Sequence, residues 1–126
     1  GAVRLFTHAN ARIIRATERY RPDDWSNLFA HATNRTVNKT HARYDMAAQY
    51  ASLWSLPLPA AAYLWHRMRR VVDTVFRGVA RNPRHFFALP NCYEPFGLDF
   101  MVASNGDVVL LEVNPDPELV CLLGVE

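Results

Sequence analysis

Residues 92–117 read CYEPFGLDFMVASNGDVVLLEVNPDP, two apolar strand patterns joined at Asn105-Gly106, a dipeptide that favours tight hairpin turns. If those two residues form the loop, Ser104 faces Asp107 and Asp99 falls opposite Glu112. Asn114 lies two residues beyond Glu112 and so shares its face. The same register pairs Met101 with Leu110 and Ala103 with Val108 on the carboxylate side, where Gly97 also lies. On the other side it pairs Leu98 with Val113, Phe100 with Leu111 and Val102 with Val109, an apolar surface that would pack on a core. Opposed carboxylates have Cβ atoms about 4.5–5.5 Å apart, and like charges there destabilise a ladder. A cation offsets that repulsion, and Asp, Glu and Asn oxygens suit Mg²⁺. An acidic pair facing solvent on an ordinary hairpin is the other reading.

The same stretch resembles the C-terminal core of the tubulin tyrosine ligase family. The matching blocks are N-C-Y-E-P-F-G-L-D-F and, after a short turn, L-L-E-V-N-P-D-P. Members of that family are ATP-grasp ligases, so the resemblance implies an α+β chain with an antiparallel sheet and packed helices, as in an ATP-grasp C-terminal lobe. By position it makes Asp99, Glu112 and Asn114 the Mg²⁺ ligands that hold ATP, with Glu112 and Asn114 closest to catalysis. It also implies that residues 1–126 are the C-terminal half of a catalytic domain. The lysine-bearing first lobe would lie outside these residues, and no glycine-rich phosphate loop occurs within them.

Half of the chain is apolar and the formal net charge is +2, which gives no drive toward nucleic acid. No apolar run is long enough to span a bilayer. The amino terminus lacks the charged start and apolar block of a secretory signal, so a cytoplasmic or cytoskeleton-associated protein is expected. Without secretion, the Asn34-Arg-Thr36 and Asn38-Lys-Thr40 strings are not glycan acceptors. Cys92 and Cys121 form no metal or disulfide pattern and read as buried thiols.

Toward the amino terminus, Val3–Phe6 and Arg12–Thr17 read as a hairpin around residues 7–11. The second arm resembles the family strand G-x-x-R-F-[AS]-T, whose arginine grips a substrate carboxylate. Here Ile14 takes the arginine's position, flanked by Arg12 and Arg15. These two are the candidate substrate-binding residues, or simply solvated strand arginines. Arg12 shares the face of Ile14, and Arg15 points the other way unless a bulge intervenes.

Tyr20–Ser26 reads as a polar loop in which Asp23 or Asp24 could cap a turn. His31-Ala-Thr-Asn-Arg-Thr-Val-Asn-Lys39 then resembles the family block H-L-T-N-x-x-[IV]-[NQ]-K. By that match Thr33 and Asn34 lie along the nucleotide, and Lys39 contacts phosphate or an acidic substrate. His31 is read as hydrogen-bonded scaffolding, not a general base. Residues 42–59 read as a loop with one short helix. A helix over Ala60–Arg81 follows, with Leu64, Trp65, Met68, Val72, Val75, Phe76 and Val79 on one apolar stripe. His66, Arg70, Asp73, Arg77 and Arg81 form its polar face, either solvated or turned toward the acidic tails of tubulin. Asn82-Pro83 stops it, Phe86 and Phe87 are expected inside, and a short helix is expected to run to Leu123.

The function implied is an ATP-dependent carboxylate–amine ligase that joins an amino acid to a protein carboxylate, most naturally on tubulin. A non-catalytic fragment that binds tubulin or nucleotide is the alternative, favoured by the missing lobe and by Ile14.

Overall fold

In the computed structural model the described residues are 3–82, 84, 86 and 89–117. Asn10–Leu56 forms one compact unit, and the described residues of Gly1–Ala9 and Pro57–Glu126 form a second. Mixed short helices and two small antiparallel sheets make the chain α+β.

In the first unit, strand β1 (Arg12–Ile14) pairs antiparallel with β2 (Tyr50–Ser52), with Arg12 opposite Ser52 and Ile14 opposite Tyr50. The Arg15 N–H donates to the Gln49 carbonyl at 2.8 Å and the Leu53 N–H to the Ala11 carbonyl at 2.7 Å, which extends the ladder at both ends. The expected hairpin between Val3–Phe6 and Arg12–Thr17 does not form, because residues 3–10 adopt no strand and β1 takes a distant partner. That partner lies in the stretch read as a loop, where three residues are too few to show a two-residue period. Between the strands lie helices α1 (Leu28–His31), α2 (Arg35–Asn38) and α3 (Met46–Gln49). The cap of α1 is Asn27, whose side chain accepts from the Phe29 N–H. Asp24 opens the turn before it, its carbonyl accepting from the Asn27 N–H at 3.4 Å and its carboxylate from the Ser26 hydroxyl at 2.8 Å. Asp45 caps α3 in the same way, accepting from Ala47.

The second unit is built on α4 (Leu58–Val79) and a hairpin of β3 (Phe96–Val102) and β4 (Val108–Pro115). Helix α4 starts two residues before the expected Ala60, because Pro59 falls in the first turn, where its missing N–H leaves no bond unmade. It also ends at Val79, before the expected Arg81. Ala61, Val72 and Phe76 are buried, and Phe76 packs its ring on Phe96 at 5.3 Å and on Phe86 at 6.2 Å. His66, Arg70, Asp73, Arg77 and Arg81 are exposed as read. Arg77 Nε donates to both Asp73 oxygens at 2.8 Å, and that hydrogen bond holds the Asp73 carboxyl below its usual range. Cys92 is exposed rather than buried, since the surrounding residues 89–95 join no helix or strand and are themselves exposed. Phe87, Cys121 and the expected helix to Leu123 lie outside the described residues. Among the described residues no helix is long and apolar enough to cross a membrane.

The turn between β3 and β4 has three residues, not two. The Ala103 N–H donates to the Asp107 carbonyl and the Gly106 N–H to the Ala103 carbonyl, each at 2.9 Å, which leaves Ser104, Asn105 and Gly106 as the loop. Gly106 sits at φ +83°, the left-handed position that closes such a loop. A Cβ there would meet only the Tyr63 ring, at 3.5 Å, so a side chain costs conformational strain rather than a clash. Gly106→Ala is therefore expected to lower stability by about 1–2 kcal/mol. Gly106→Asn should cost less, because Asn tolerates this region. Chemical denaturation of the full-length protein checks the order, and equal midpoints for Gly, Ala and Asn would refute it.

Candidate functional site

The longer loop moves every pair near the turn by one residue. Val102 faces Val108, Met101 faces Val109 and Phe100 faces Leu110, in place of the expected Val102/Val109, Met101/Leu110 and Phe100/Leu111. An irregularity between Asp99 and Phe100 then takes up one extra residue, Leu111, on β4. Beyond it Asp99 faces Glu112, Leu98 faces Val113 and Gly97 faces Asn114, as the shorter loop had placed them. The bulge has a chemical consequence. A one-residue slip would turn Glu112 and Asn114 to the other face of the ribbon, and the extra residue returns them to the side of Asp99. Leu98, Phe100, Val108 and Leu110 lean inward, whereas Asp99, Leu111, Glu112 and Asn114 are exposed.

Asn114 Nδ2 donates to Glu112 Oε1 at 2.8 Å. That bond orients the amide so that Asn114 Oδ1 and the second Glu112 oxygen remain as acceptor atoms on the strand face that Asp99 shares. Two carboxylates and one amide oxygen on a solvent-accessible strand face form an oxygen-only donor set, which fits a hard divalent cation. Among the described residues no group of three or more His, Cys, Asp or Glu is placed to hold a metal.

The remaining candidate residues all belong to the Asn10–Leu56 unit. Arg12 and Arg15 are not brought together, because the β1 register is regular from Arg12 to Ile14 and they leave opposite faces of the ribbon. The Arg12 guanidinium lies 4.8 Å from the centre of the Tyr50 ring, and Arg15 donates to the Ala48 carbonyl at 3.4 Å. Thr33 and Asn34 are exposed side by side. Asn34 is the N-cap residue of α2, yet its side chain makes no capping bond. Lys39 is exposed at the other end of α2. His31 Nε2 lies 2.7 Å from the Asp24 carbonyl, and its ring sits 5.1 Å from both Trp25 and Tyr20, which agrees with a scaffolding part.

Two buried amides hold this region, and neither was singled out from the sequence. Asn38 is fully buried: its Oδ1 accepts from the N–H and hydroxyl of Thr17, and its Nδ2 donates to the Ala32 and Asn34 carbonyls. Gln49 Nε2 donates to the Thr33 carbonyl at 2.8 Å. Three successive carbonyls are thus tied inward by side-chain amides, which fixes the backbone from which Thr33 and Asn34 project. Asn38 lies inside the quoted block, so its polar character at a buried helix position was the available signal. Gln49 gave none. Nearby, Glu18 accepts from Arg43 and pairs with His41 at 3.1 Å; the Arg43 hydrogen bond is the main cause of its lowered pKa.

The tubulin-tyrosine ligase family model matches residues 2–124. A probable tubulin polyglutamylase of Homo sapiens is 28% identical over 127 residues, which covers 91% of this chain and 21% of that protein. A probable tubulin–tyrosine ligase of Saccharomyces cerevisiae is 28% identical over 101 residues, covering 79% of this chain and 13% of that protein. Another from Schizosaccharomyces pombe is 26% identical over 121 residues, covering 94% and 29%. The chain therefore spans less than a third of the length of each of these relatives. No solved structure gives a significant match. With a family match that runs almost from end to end, and with both motif blocks lying inside it, this chain belongs to the tubulin-tyrosine ligase family.

Proposed function

We propose that this chain is the C-terminal part of an ATP-grasp catalytic domain that ligates an amino acid to a carboxylate of tubulin. The observation that carries the reading is the opposition of Asp99 and Glu112, with Asn114 hydrogen-bonded to Glu112 on the same exposed face. In the reaction a carboxylate oxygen attacks the γ-phosphorus of ATP, releasing ADP and leaving an acyl phosphate. The amine of the second substrate attacks the acyl carbon and phosphate departs, leaving an amide. Magnesium supplies charge neutralisation across the nucleotide phosphates. Asp99, Glu112 and Asn114 would hold it through oxygen, and the Asn114 amide bonded to Glu112 would give part of the electrostatic preorganisation that such a transfer needs. Thr33, Asn34 and Lys39 seat the nucleotide, with Asn34 contributing an amide that its own helix leaves unused. Arg12 or Arg15, which leave opposite faces of the ribbon, supplies the guanidinium group for a substrate carboxylate. The protein acts in the cytoplasm on the microtubule cytoskeleton.

A second reading, a nucleotide- or tubulin-binding fragment without turnover, draws on Ile14, which presents an apolar side chain where the family strand has its arginine. One assay separates the two. The full-length protein is incubated with tubulin, Mg-ATP and, in turn, labelled tyrosine, glutamate or glycine. ATP-dependent incorporation of one of them is expected. Binding of tubulin with no incorporation and no ATP consumption would leave only the second reading.

A further inference from the structure

The chain leaving β4 turns back on itself. Asp116 adopts a left-handed conformation, φ +57°, uncommon for a residue with a side chain. Pro117 comes to lie against Gly97, the residue opposite Asn114. Gly97 has no positive φ, so its backbone does not require glycine. What requires glycine is space: a Cβ there would sit 3.0 Å from the Pro117 Cβ and 3.9 Å from both the Pro117 Cγ and the Asn114 Cβ. Position 97 has the same strand parity as Asp99, so that Cβ would stand on the carboxylate face. Pro117 fills the room that a side chain would have taken, half-buried in a stretch where Glu112–Asp116 are all exposed.

We propose that Gly97, Asp116 and Pro117 form a hook that positions Asn114, so that Gly97 is a positioning residue of the divalent-cation site. The hook rests on the reading of Asp99, Glu112 and Asn114 as that site. Asn114 is the last residue of β4 but one, and a strand end frays unless something ties it down. The left-handed Asp116 directs the ring of Pro117 over Gly97 on the neighbouring strand. Asn114 is then held between its ladder partner and the hook, with its amide on Glu112. The atom in the way is the Pro117 Cβ, which is bonded directly to the backbone, so it can yield to an added methyl only if that backbone moves. A move of a few tenths of an ångström there reaches Asn114 through two intervening residues.

The test uses the full-length protein and reads Mn²⁺ binding in the presence of ATP by electron paramagnetic resonance, with a thermal melt of each variant. Gly97→Ala is expected to weaken Mn²⁺ binding about tenfold, the loss typical of a disturbed outer-shell partner. Adding Pro117→Gly to Gly97→Ala removes the opposing Cβ and should restore most of that binding. Adding Pro117→Ala keeps the Cβ and should not. Asp116→Val places a β-branched residue where φ is positive and should weaken binding without adding bulk at position 97, which keeps the test open if Gly97→Ala fails to fold. Unchanged Mn²⁺ affinity in Gly97→Ala, or equal affinities in the two double variants, would overturn the hook. Glu112→Gln in the same assay separates the failures. If it binds Mn²⁺ as well as the parent, the cation site itself is wrong; if it loses binding while Gly97→Ala does not, only the hook is.

Discussion

Glu112→Gln in the full-length protein is expected to lower Mg-ATP-dependent ligation by at least about 10²–10³-fold while leaving the fold intact. The substitution keeps the side chain's size and still offers Asn114 Nδ2 an acceptor oxygen. What it removes is one of the two negative charges that oppose each other across the ladder. For the cation that charge is a large part of the attraction, since a neutral amide is a much weaker ligand than a carboxylate. For the apoprotein the sign is reversed. Like charges at directly opposed strand positions cost about 0.2–1 kcal/mol, so the variant should be as stable as the parent or slightly more so when no divalent ion is present. Function and stability therefore pull apart at one residue, the pattern expected where a site is held against local preference. Two measurements check it: ATP consumption, and a denaturation midpoint taken in chelator. Normal ATP consumption removes Glu112 from the site. A large fall in the midpoint shows instead that the carboxylate served the fold.

How much of this was legible in the sequence depends on the scale over which each signal acts. The apolar stripe of α4 repeats over about four turns, so its buried positions Val72 and Phe76 could be read directly; its ends were misplaced, and Val79, read on the stripe, is exposed. The opposition of Asp99 and Glu112 was also read correctly, though by a route with two errors that cancel. Asn105-Gly106 signals a turn, but a left-handed glycine closes two- and three-residue loops alike, so the dipeptide cannot count its own loop. Leu111 is the compensating extra residue, and nothing in the run Val-Val-Leu-Leu marks which leucine it will be. The face of β4 nearer the turn was accordingly inverted: Val108 and Leu110, read beside the carboxylates, lean inward, and Leu111 is exposed. Long-range pairing was least legible. β1 finds its partner almost forty residues away in Tyr50-Ala-Ser52, a segment too short and too mild in propensity to declare itself. Buried polar groups escaped for a related reason. An asparagine in a sequence looks like surface, and only the assembled backbone shows that four partners surround it.

That asparagine gives the largest stability effect expected in the Asn10–Leu56 unit. Asn38 uses its full capacity, two acceptor sites on Oδ1 and two donors on Nδ2, and has no exposure to water. Asn38→Ala removes all four bonds and leaves the Thr17 N–H and the Ala32 and Asn34 carbonyls to find new partners from inside. An unsatisfied buried group costs about 1–3 kcal/mol, and partial rescue by the helix bond already made to the Asn34 carbonyl lowers the sum, so a loss of about 3–5 kcal/mol is expected. Asn38→Asp should fare no better, because it keeps the acceptors but brings a charge against two carbonyls that need donors. Gln49→Ala supplies the scale. Gln49 makes one side-chain bond, to the Thr33 carbonyl, and its Oε1 is already buried without a partner, so truncating it should cost about 1–2 kcal/mol. Chemical denaturation of the full-length protein, followed by hydrogen exchange over residues 10–56, reads both. The order of the two losses matters more than their size. If Asn38→Ala costs no more than Gln49→Ala, the three inward carbonyls are not what fixes the Thr33–Asn34 segment, and the placement of those side chains must come from elsewhere in the unit. If the order holds, Asn38→Ala should also weaken ATP binding in mild denaturant before any global unfolding is seen, because the first structure to loosen is the backbone that presents Thr33 and Asn34.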